Sequence, residues 1–193
     1  MNEMYFSIDV ETDGPIPGQN SMLSLGAAAF TLEEGCLFSW STNLKTLPGA
    51  EQDKDTMNWW KTQPDAWAAC QEKQLDPQTV MRSFSEWVST TAGALKKKPV
   101  CVAYPAGFDF MFVYWYLIKF TGNSPFSFSC LDIKSYVAGM CCKPYRKVSK
   151  KSMPKRWLSS HPHTHLAVDD AIEQGHLFMN MLKENLNEDQ NRS

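Results

Sequence analysis

Residues 4–11 alternate between apolar side chains and a second, partly polar set. The apolar members are Met4, Phe6, Ile8 and Val10. A period of two residues is typical of a β-strand, because successive side chains of a strand point to opposite faces of the sheet. The same spacing puts Asp9 and Glu11 together on the other face. The pattern therefore predicts a strand that buries one apolar face and presents two carboxylates on the opposite one.

The rest of the chain alternates between strand-like and helix-like segments. Strands are predicted for residues 22–32 and 37–44, which form an antiparallel meander with the first strand, and for 99–104 and 128–133. Helices are predicted within 45–75, from 76 through 88, for 108–120, and from 168 onward. This order indicates an α/β domain with a mixed sheet. We expect one domain over residues 1–193, with a frayed polar tail from about Asn187.

The composition argues against several classes of protein. The 19 Lys and Arg against 21 Asp and Glu leave a net charge of -2, which gives no global sign of a polyanionic or membrane-surface partner. No apolar run approaches the ~20 residues needed to span a bilayer, and the N-terminus lacks the pattern of a signal peptide. We therefore expect a cytoplasmic protein with no membrane partner. The six cysteines lack metal-type spacing, so we expect reduced thiols.

Three places put a carboxylate on an element that should be buried, where an ionised side chain is costly without a cation or a partner. Asp9 and Glu11 lie ~7 Å apart along the first strand. Asp109 starts the helix after a strand, and Asp170 starts the C-terminal helix. His165 precedes Asp170 by five residues, and a neutral imidazole can take a proton from water. Four carboxylates without thiolates suit Mg²⁺ or Mn²⁺ rather than zinc.

Each carboxylate also has a simpler interpretation. Asp109 and Asp170 are placed to cap helices, since Asp accepts hydrogen bonds from the first backbone N–H groups of a helix. A single D-x-E pair is common by chance, and an acidic residue on a strand usually faces solvent. The functional interpretation is favoured because all of these pieces occur together, in order, along one chain.

That order resembles the DEDD superfamily of 3′–5′ exonucleases, in the branch with a catalytic histidine (DEDDh). Residues 9–14, Asp-Val-Glu-Thr-Asp-Gly, are similar to its first motif, D-x-E-T-x-G. Residues 107–109, Gly-Phe-Asp, resemble the second motif, and residues 165–171, His-Leu-Ala-Val-Asp-Asp-Ala, resemble the third, H-x-A-x-D-D. One departure is Pro105, which stands where the family usually has Asn. Residues 58–61, Asn-Trp-Trp-Lys, are most similar to small bacterial or phage exoribonucleases of this type.

The resemblance implies a ribonuclease H-like fold, in which a central mixed five-stranded sheet is flanked by helices. It also implies a metal-dependent 3′–5′ exonuclease that hydrolyses RNA, or a short single strand, to nucleoside 5′-monophosphates. The implied cofactors are two Mg²⁺ or Mn²⁺ ions. In such a site Asp9 bridges both ions, Glu11 and Asp170 complete the one that carries the attacking water, and Asp109 binds the other. His165 deprotonates the water.

Two alternative functions stay open. One is a 3′–5′ DNA exonuclease for repair or proofreading. The other is a catalytically silent nucleic-acid-binding module that keeps the fold. The complete set of acids and the histidine argues against the silent module, because a site freed from catalysis has no physical reason to keep clustered carboxylates.

The substrate is expected to be single-stranded nucleic acid, RNA favoured over DNA. Seven of the 19 basic residues lie within residues 143–156, here named the basic segment, with no acid among them. Neutralising phosphates dominates affinity for nucleic acid, so we expect this segment to track the backbone. The predicted substrate-binding residues are Thr12, Met22, Phe108, Lys147, Lys150, Lys151 and Arg156. The resemblance implies that Met22 wedges against terminal bases, and the aromatic residues within 57–67 suggest a homodimer interface.

Overall fold

A mixed five-stranded sheet forms the centre of the computed structural model, which describes residues 2–162 and 164–190, with side chains described as far as Asn187. The strands are β1 (Glu3–Thr12), β2 (Met22–Thr31), β3 (Gly35–Asn43), β4 (Lys98–Ala103) and β5 (Cys130–Asp132). Their order across the sheet is β3-β2-β1-β4-β5. The first three strands pair antiparallel, whereas β4 runs parallel to β1 and β5 parallel to β4. The predicted meander and the mixed sheet are both confirmed.

Helices cover both faces of this sheet. They are α1 (Lys54–Trp60), α2 (Pro64–Gln71), α3 (Pro77–Ala94), α4 (Ala106–Thr121), α5 (Ile133–Met140) and α6 (Ala167–Gln190). The start of α3 follows its predicted signal, because the Asp76 carboxylate accepts hydrogen bonds from the N–H groups of Gln78 and Thr79 at 3.0 and 3.4 Å. Three short 3₁₀ turns follow α5, two within the basic segment at residues 145–147 and 150–152 and one at its end, at residues 155–157.

The alternation along β1 separates two apolar cores. Met4, Phe6, Ile8 and Val10 pack on one face of the sheet, in a cluster with buried residues of α3 and α4. The opposite face packs against α5 and α6. Its buried members include Tyr5, Val102, Leu177, Phe178 and Met181. Asp9 and Glu11 share the parity of Tyr5 along β1, and this places both carboxylates on the α6 face of the sheet.

Helix α6 lies unusually close to the sheet beside these carboxylates. A Cβ atom added at Gly26 would collide with the backbone of Ala167 and Val168, so glycine is required for this approach. One turn beyond Asp170, the Gln174 side-chain amide donates a hydrogen bond of 2.6 Å to the Ile8 carbonyl. These two contacts fix the start of α6 against β2 at Gly26, which pairs with Asp9, and against β1 at Ile8.

One boundary differs from the predictions. Strand β5 has only three residues, because Phe128, which the apolar pattern assigns to the strand, lies before it with 81% of its surface exposed. Helix α6 continues to Gln190, into the tail that is predicted to fray from about Asn187, and the fraying stays a prediction. Residues 191–193 of that tail lie outside the described part of the chain. Among the described residues, no helix is both long and apolar enough to cross a membrane.

Candidate active site

Two strands and one helix bring the first three carboxylates together. Asp9 and Glu11 lie at the carboxyl end of β1, and β4, which runs parallel beside it, leads directly into α4. Carboxyl ends of parallel strands meet at one edge of a sheet, where open α/β folds place their sites. Asp109 occupies the first turn of α4, 4% exposed, and accepts a hydrogen bond of 3.3 Å from the Val10 N–H, between the two acids of β1.

The fourth carboxylate comes from the first turn of α6. Asp170 is 4% exposed and accepts a hydrogen bond of 3.0 Å from the backbone N–H of Thr164. The Thr164 hydroxyl donates to the neighbouring Asp169 at 2.8 Å. The loop before α6 is therefore tied to both acids, and it holds His165 at a φ of 57°, a left-handed conformation that is uncommon outside glycine.

His165 converges on the carboxylates as the sequence predicts. Metal-ligating atoms of Glu11, His165 and Asp170 all lie within 4.8 Å of one another. The His165 ring packs edge-on against the Trp59 indole, with ring centroids 5.2 Å apart. Trp59 is thus a neighbour of His165. The sequence pattern shows Trp59 only as one of several aromatic residues and does not predict this contact.

The clustering of acids raises the pKa of several carboxyl groups. Burial raises the pKa of Glu11 to about 9, with Asp170 and Asp109 adding repulsion. Burial also raises the pKa of Asp109 to about 7, against the opposing hydrogen bond from the Val10 N–H. The pKa of Asp9 lies well above its usual range, because of burial and then the negative charges of Asp109, Glu11 and Asp170. A site that raises the pKa of its carboxyl groups in this way favours occupation by cations.

A cleft of about 310 Å³ opens beside the carboxylates. It is lined by Val10, Glu11, Thr12, Gly14, Pro15, Thr56, Trp59 and Phe108. Two residues predicted to bind substrate, Thr12 and Phe108, therefore lie at the site. Two aromatic rings on its walls provide apolar surface of the kind that stacks against nucleobases.

Other predicted substrate contacts lie elsewhere. Met22 is fully buried in the core, where its N–H donates to the Tyr116 hydroxyl at 2.7 Å, so the structure does not place it as a wedge. The Met22 side chain points into the core because β2 begins at this residue and turns the side chain inward. Arg156 pairs with Glu184 at 2.6 Å, 14 residues and ~21 Å along α6 from Asp170. Both residues line a separate groove of about 720 Å³.

The remaining basic residues divide into two groups. Lys147 and Lys151 are exposed, whereas Lys150 is half-buried and forms an ion pair with Glu173 on α6. The aromatic segment 57–67 is only partly exposed, since Trp60 is 2% exposed and donates to the Thr12 carbonyl at 2.9 Å. Within this segment Trp59 lines the cleft and Trp60 is buried, so little of it is left as a broad apolar surface.

Some supporting residues are not evident from the sequence. Thr164, Gln174 and Gly26 each position an acid or α6 without belonging to a motif of charged residues. The available signal for Gln174 is its place four residues after Asp170, on the same face of the helix. Thr164 precedes Asp169 and Asp170 by only five and six residues, but its uncharged side chain gives no sign of these contacts in the sequence. Gly26 carries no local signal either, because the backbone of Ala167 that it approaches lies far along the chain.

Comparisons with known proteins agree with this geometry. The family model described as 3′–5′ exoribonuclease Rv2179c-like domain matches residues 4–182. The 3′–5′ DNA exonuclease Cap18 of Escherichia coli is 32% identical over 181 residues, which cover 91% of this chain and 90% of that protein. These two comparisons extend over nearly the whole chain.

Solved structures show the same fold at low sequence identity. The nuclease domain of 3′hExo, a DEDDh family member bound to rAMP, has a TM-score of 0.69 at 10% identity, over 95% of this chain and 93% of that chain. Exonuclease I of E. coli in complex with a dA16 oligonucleotide has a TM-score of 0.65 at 12% identity, over 94% of this chain and 41% of that chain.

The family model and the curated relative define the class of protein, a 3′–5′ exonuclease, and the solved structures show that its fold is the one seen in DEDDh-family exonucleases. The chain belongs to the 3′–5′ exoribonuclease Rv2179c-like family. The predictions of enzyme class and fold are therefore confirmed.

Proposed function

We propose that the protein removes nucleotides from the 3′ end of single-stranded nucleic acid, with Asp9, Glu11, Asp109 and Asp170 binding two divalent cations and His165 acting as general base. The observation that carries the proposal is the convergence of Glu11, His165 and Asp170, whose ligating atoms lie within 4.8 Å of one another although β1 and α6 are far apart in the chain. A structural role for these residues needs no such meeting of two acids and an imidazole.

The residues present fit a pair of hard cations. Four oxygen-donating side chains surround the site without a thiolate, and Mg²⁺ and Mn²⁺ prefer such ligands. The raised pKa values of Asp9, Glu11 and Asp109 reflect burial and mutual repulsion, which a bound cation would relieve. When bound, the cations supply Lewis-acid stabilisation of the charge on the phosphate and on the leaving oxygen.

The protein's own groups orient the reaction. The Val10 N–H holds one oxygen of Asp109, and the Thr164 N–H holds one oxygen of Asp170, so both carboxylates have fixed orientations. His165, packed against Trp59, is placed to accept the proton of a water that attacks the terminal phosphate. Hydrolysis breaks the bond between phosphorus and the 3′ oxygen of the preceding nucleotide and releases a nucleoside 5′-monophosphate.

The shape of the cleft supports a single-stranded 3′ end as the substrate. Trp59 and Phe108 line the cleft next to Glu11, and each base stacked on an aromatic side chain contributes ~1 to 3 kcal/mol. A base must be unpaired to lie against such a ring. We keep RNA as the favoured substrate, in line with the exoribonuclease description of the matching family.

A DNA substrate is the second candidate, because the relative at 32% identity is named a DNA exonuclease. The homodimer also stays a prediction. The segment 57–67 offers little of the expected interface, since Trp60 is buried.

The test is nucleotide release from 3′-labelled single-stranded RNA and DNA of the same sequence, with Mg²⁺, Mn²⁺ or chelator. We expect the wild-type protein to release 5′-monophosphates only with a divalent cation. We expect His165→Ala to lower the rate by about 10²- to 10⁴-fold, the usual contribution of a general base, and Asp9→Asn to remove activity.

The matched control is Asp65→Asn, which changes an exposed carboxylate of α2 and should leave the rate unchanged. Full activity of both site variants would contradict the proposal. Faster release from DNA than from RNA would select the second candidate.

A further inference from the structure

Lys150 differs from the other residues of the basic segment. The remaining six basic residues are exposed, whereas Lys150 is half-buried, with its side chain 33% exposed. Its position follows from the short 3₁₀ turns of the segment, because Val148 and Met153 on either side are buried among the core residues of the α6 face. The chain therefore presents this one lysine to the interior while its neighbours face solvent.

Two contacts fix the Lys150 ammonium group. It forms an ion pair with Glu173, whose side chain is 9% exposed. It lies 5.7 Å from the centre of the Tyr104 ring, within the range of a cation–π interaction. Its positive charge also acts on Asp9, where it opposes the rise in the pKa of that carboxyl group.

The topology explains why these partners meet beside the carboxylates. Ser7 on β1 is level with Val102 on β4, so Asp9 and the end of β4 lie at the same edge of the sheet. Tyr104, the first residue after β4, packs against the apolar cluster of the α6 face. Glu173 lies three residues after Asp170 on α6 and shares its face of the helix. Lys150 thus lies where the wall formed by Tyr104 meets the cluster of acids.

The chemistry of the ammonium group allows a further partner. It has three N–H donors, of which one serves Glu173, and the face of Tyr104 holds the charge without consuming a donor. At the end of β4 the residue after Tyr104 is Pro105, which has no side-chain donor. Lys150 therefore provides a cationic donor to this side of the site.

We propose that Lys150 is a phosphate-binding residue of the active site, which donates to a non-bridging oxygen of the terminal nucleotide's phosphate while Glu173 and Tyr104 hold it in position. The inference rests on the proposed function, because it assumes a 3′-terminal phosphodiester as substrate. It separates Lys150 from the exposed lysines of the segment, which contact only the remoter backbone.

The test is the affinity for adenosine 5′-monophosphate and for adenosine, measured by calorimetry with and without Mg²⁺. We expect Lys150→Gln to weaken binding of the monophosphate by about 10-fold or more, the loss of a charge-assisted hydrogen bond, with adenosine binding unchanged. Lys98→Gln, which changes an exposed lysine at the start of β4, at the opposite end of that strand from the site, is the matched control and should match the wild-type protein.

A second variant separates this role from a purely structural one. Glu173→Gln breaks the same ion pair but keeps the lysine, so we expect the affinity for the monophosphate to stay within about 3-fold of wild type. Equal losses in Lys150→Gln and Glu173→Gln would overturn the proposal. If Lys150→Gln does not fold, Lys150→Arg replaces it and should retain preference for the monophosphate over adenosine.

The two proposals fail in distinguishable ways. A wild-type protein that releases no nucleotides from any substrate contradicts the proposed function. A wild-type protein that releases nucleotides, together with a Lys150→Gln variant that binds the monophosphate as tightly as Lys98→Gln does, overturns the role of Lys150 alone.

Discussion

Individual carboxyl groups make the stability of the cation-free protein depend on pH. The pKa of Glu11 rises from an ordinary value of 4.5 to about 9, and that of Asp109 from 3.8 to about 7. Above the ordinary values the native state binds more protons than the unfolded state, so the free energy of unfolding falls as pH rises. With chelator present, we expect the melting temperature to fall steadily from about pH 5 to about pH 9.

The variant Glu11→Gln provides the check, since it removes a carboxyl group whose pKa burial raises to about 9. Its melting temperature in chelator should exceed that of the wild-type protein at pH 8 and depend less on pH. Added Mg²⁺ should raise the wild-type melting temperature at the same pH, because the cation binds the native state only. A wild-type melting temperature that does not change between about pH 5 and pH 9 in chelator would contradict the raised pKa values of Glu11 and Asp109.

Residues with a recognisable local context could be predicted, and those that act through distant partners could not. Sequence motifs are sufficient to predict the five candidate site residues, because each stands in a short motif: Asp9, Glu11, Asp109, His165 and Asp170. The pairing of Lys150 with Glu173 could not be predicted, since 23 residues separate them and many acids compete as partners. Met22 was misplaced because an apolar side chain at a strand start can face either the cleft or the core.

At the scale of elements, one glycine controls how closely α6 approaches the sheet. A Cβ at Gly26 would collide with the carbonyl group of Ala167 and the N–H of Val168 at the start of the helix. The helix would have to move, and it carries Asp170. We expect Gly26→Ala to destabilise the protein by about 3 kcal/mol, as overpacking does in tight interiors, and to lower nucleotide release as well.

Gly93 in α3 provides the contrasting substitution, because nothing lies within 4 Å of a Cβ built there. Gly93→Ala should leave activity unchanged and raise stability by up to about 1 kcal/mol, since alanine favours a helix. Urea unfolding and the rate of nucleotide release measure both effects. A Gly26→Ala protein with unchanged stability would show that α6 can be displaced at no cost.

Periodicity predicted the elements better than their boundaries and contacts. The two-residue alternation of β1 and the spacing of apolar residues in α6 were sufficient to predict the type and position of these two elements. The bounds of strand β5 were harder to predict. Its three residues pair with β4, and this pairing depends on the neighbouring strand rather than on the local apolar pattern. The close approach of α6 to Gly26 could not be predicted from the sequence either, since a glycine in a strand is equally consistent with a bulge, a bend or a close contact.

For the whole molecule, the net charge of -2 hides two opposed regions. Four carboxylates converge at the carboxyl end of β1, and the basic segment, with no acid, leads from α5 towards them. Cations bound by the acids would remove most of the negative potential near the cleft. The molecule then offers a positive approach to a strand of nucleic acid despite its overall negative charge.

This division of charge predicts how affinity for nucleic acid depends on salt. Each phosphate neutralised on a single strand contributes a slope of about -0.7 to the plot of log affinity against log salt concentration. If the exposed Lys147 and Lys151 each contact one phosphate, the double variant Lys147→Gln/Lys151→Gln should flatten the slope by about 1.4.

The measurement is fluorescence anisotropy with a single-stranded oligonucleotide and the Asp9→Asn protein, which prevents digestion. The matched control, Lys96→Gln/Lys98→Gln, removes equal charge beside the start of β4, at the opposite end of that strand from the site, and should leave the slope unchanged. Equal flattening in both double variants would mean that net charge alone, and not the position of the basic segment, governs binding.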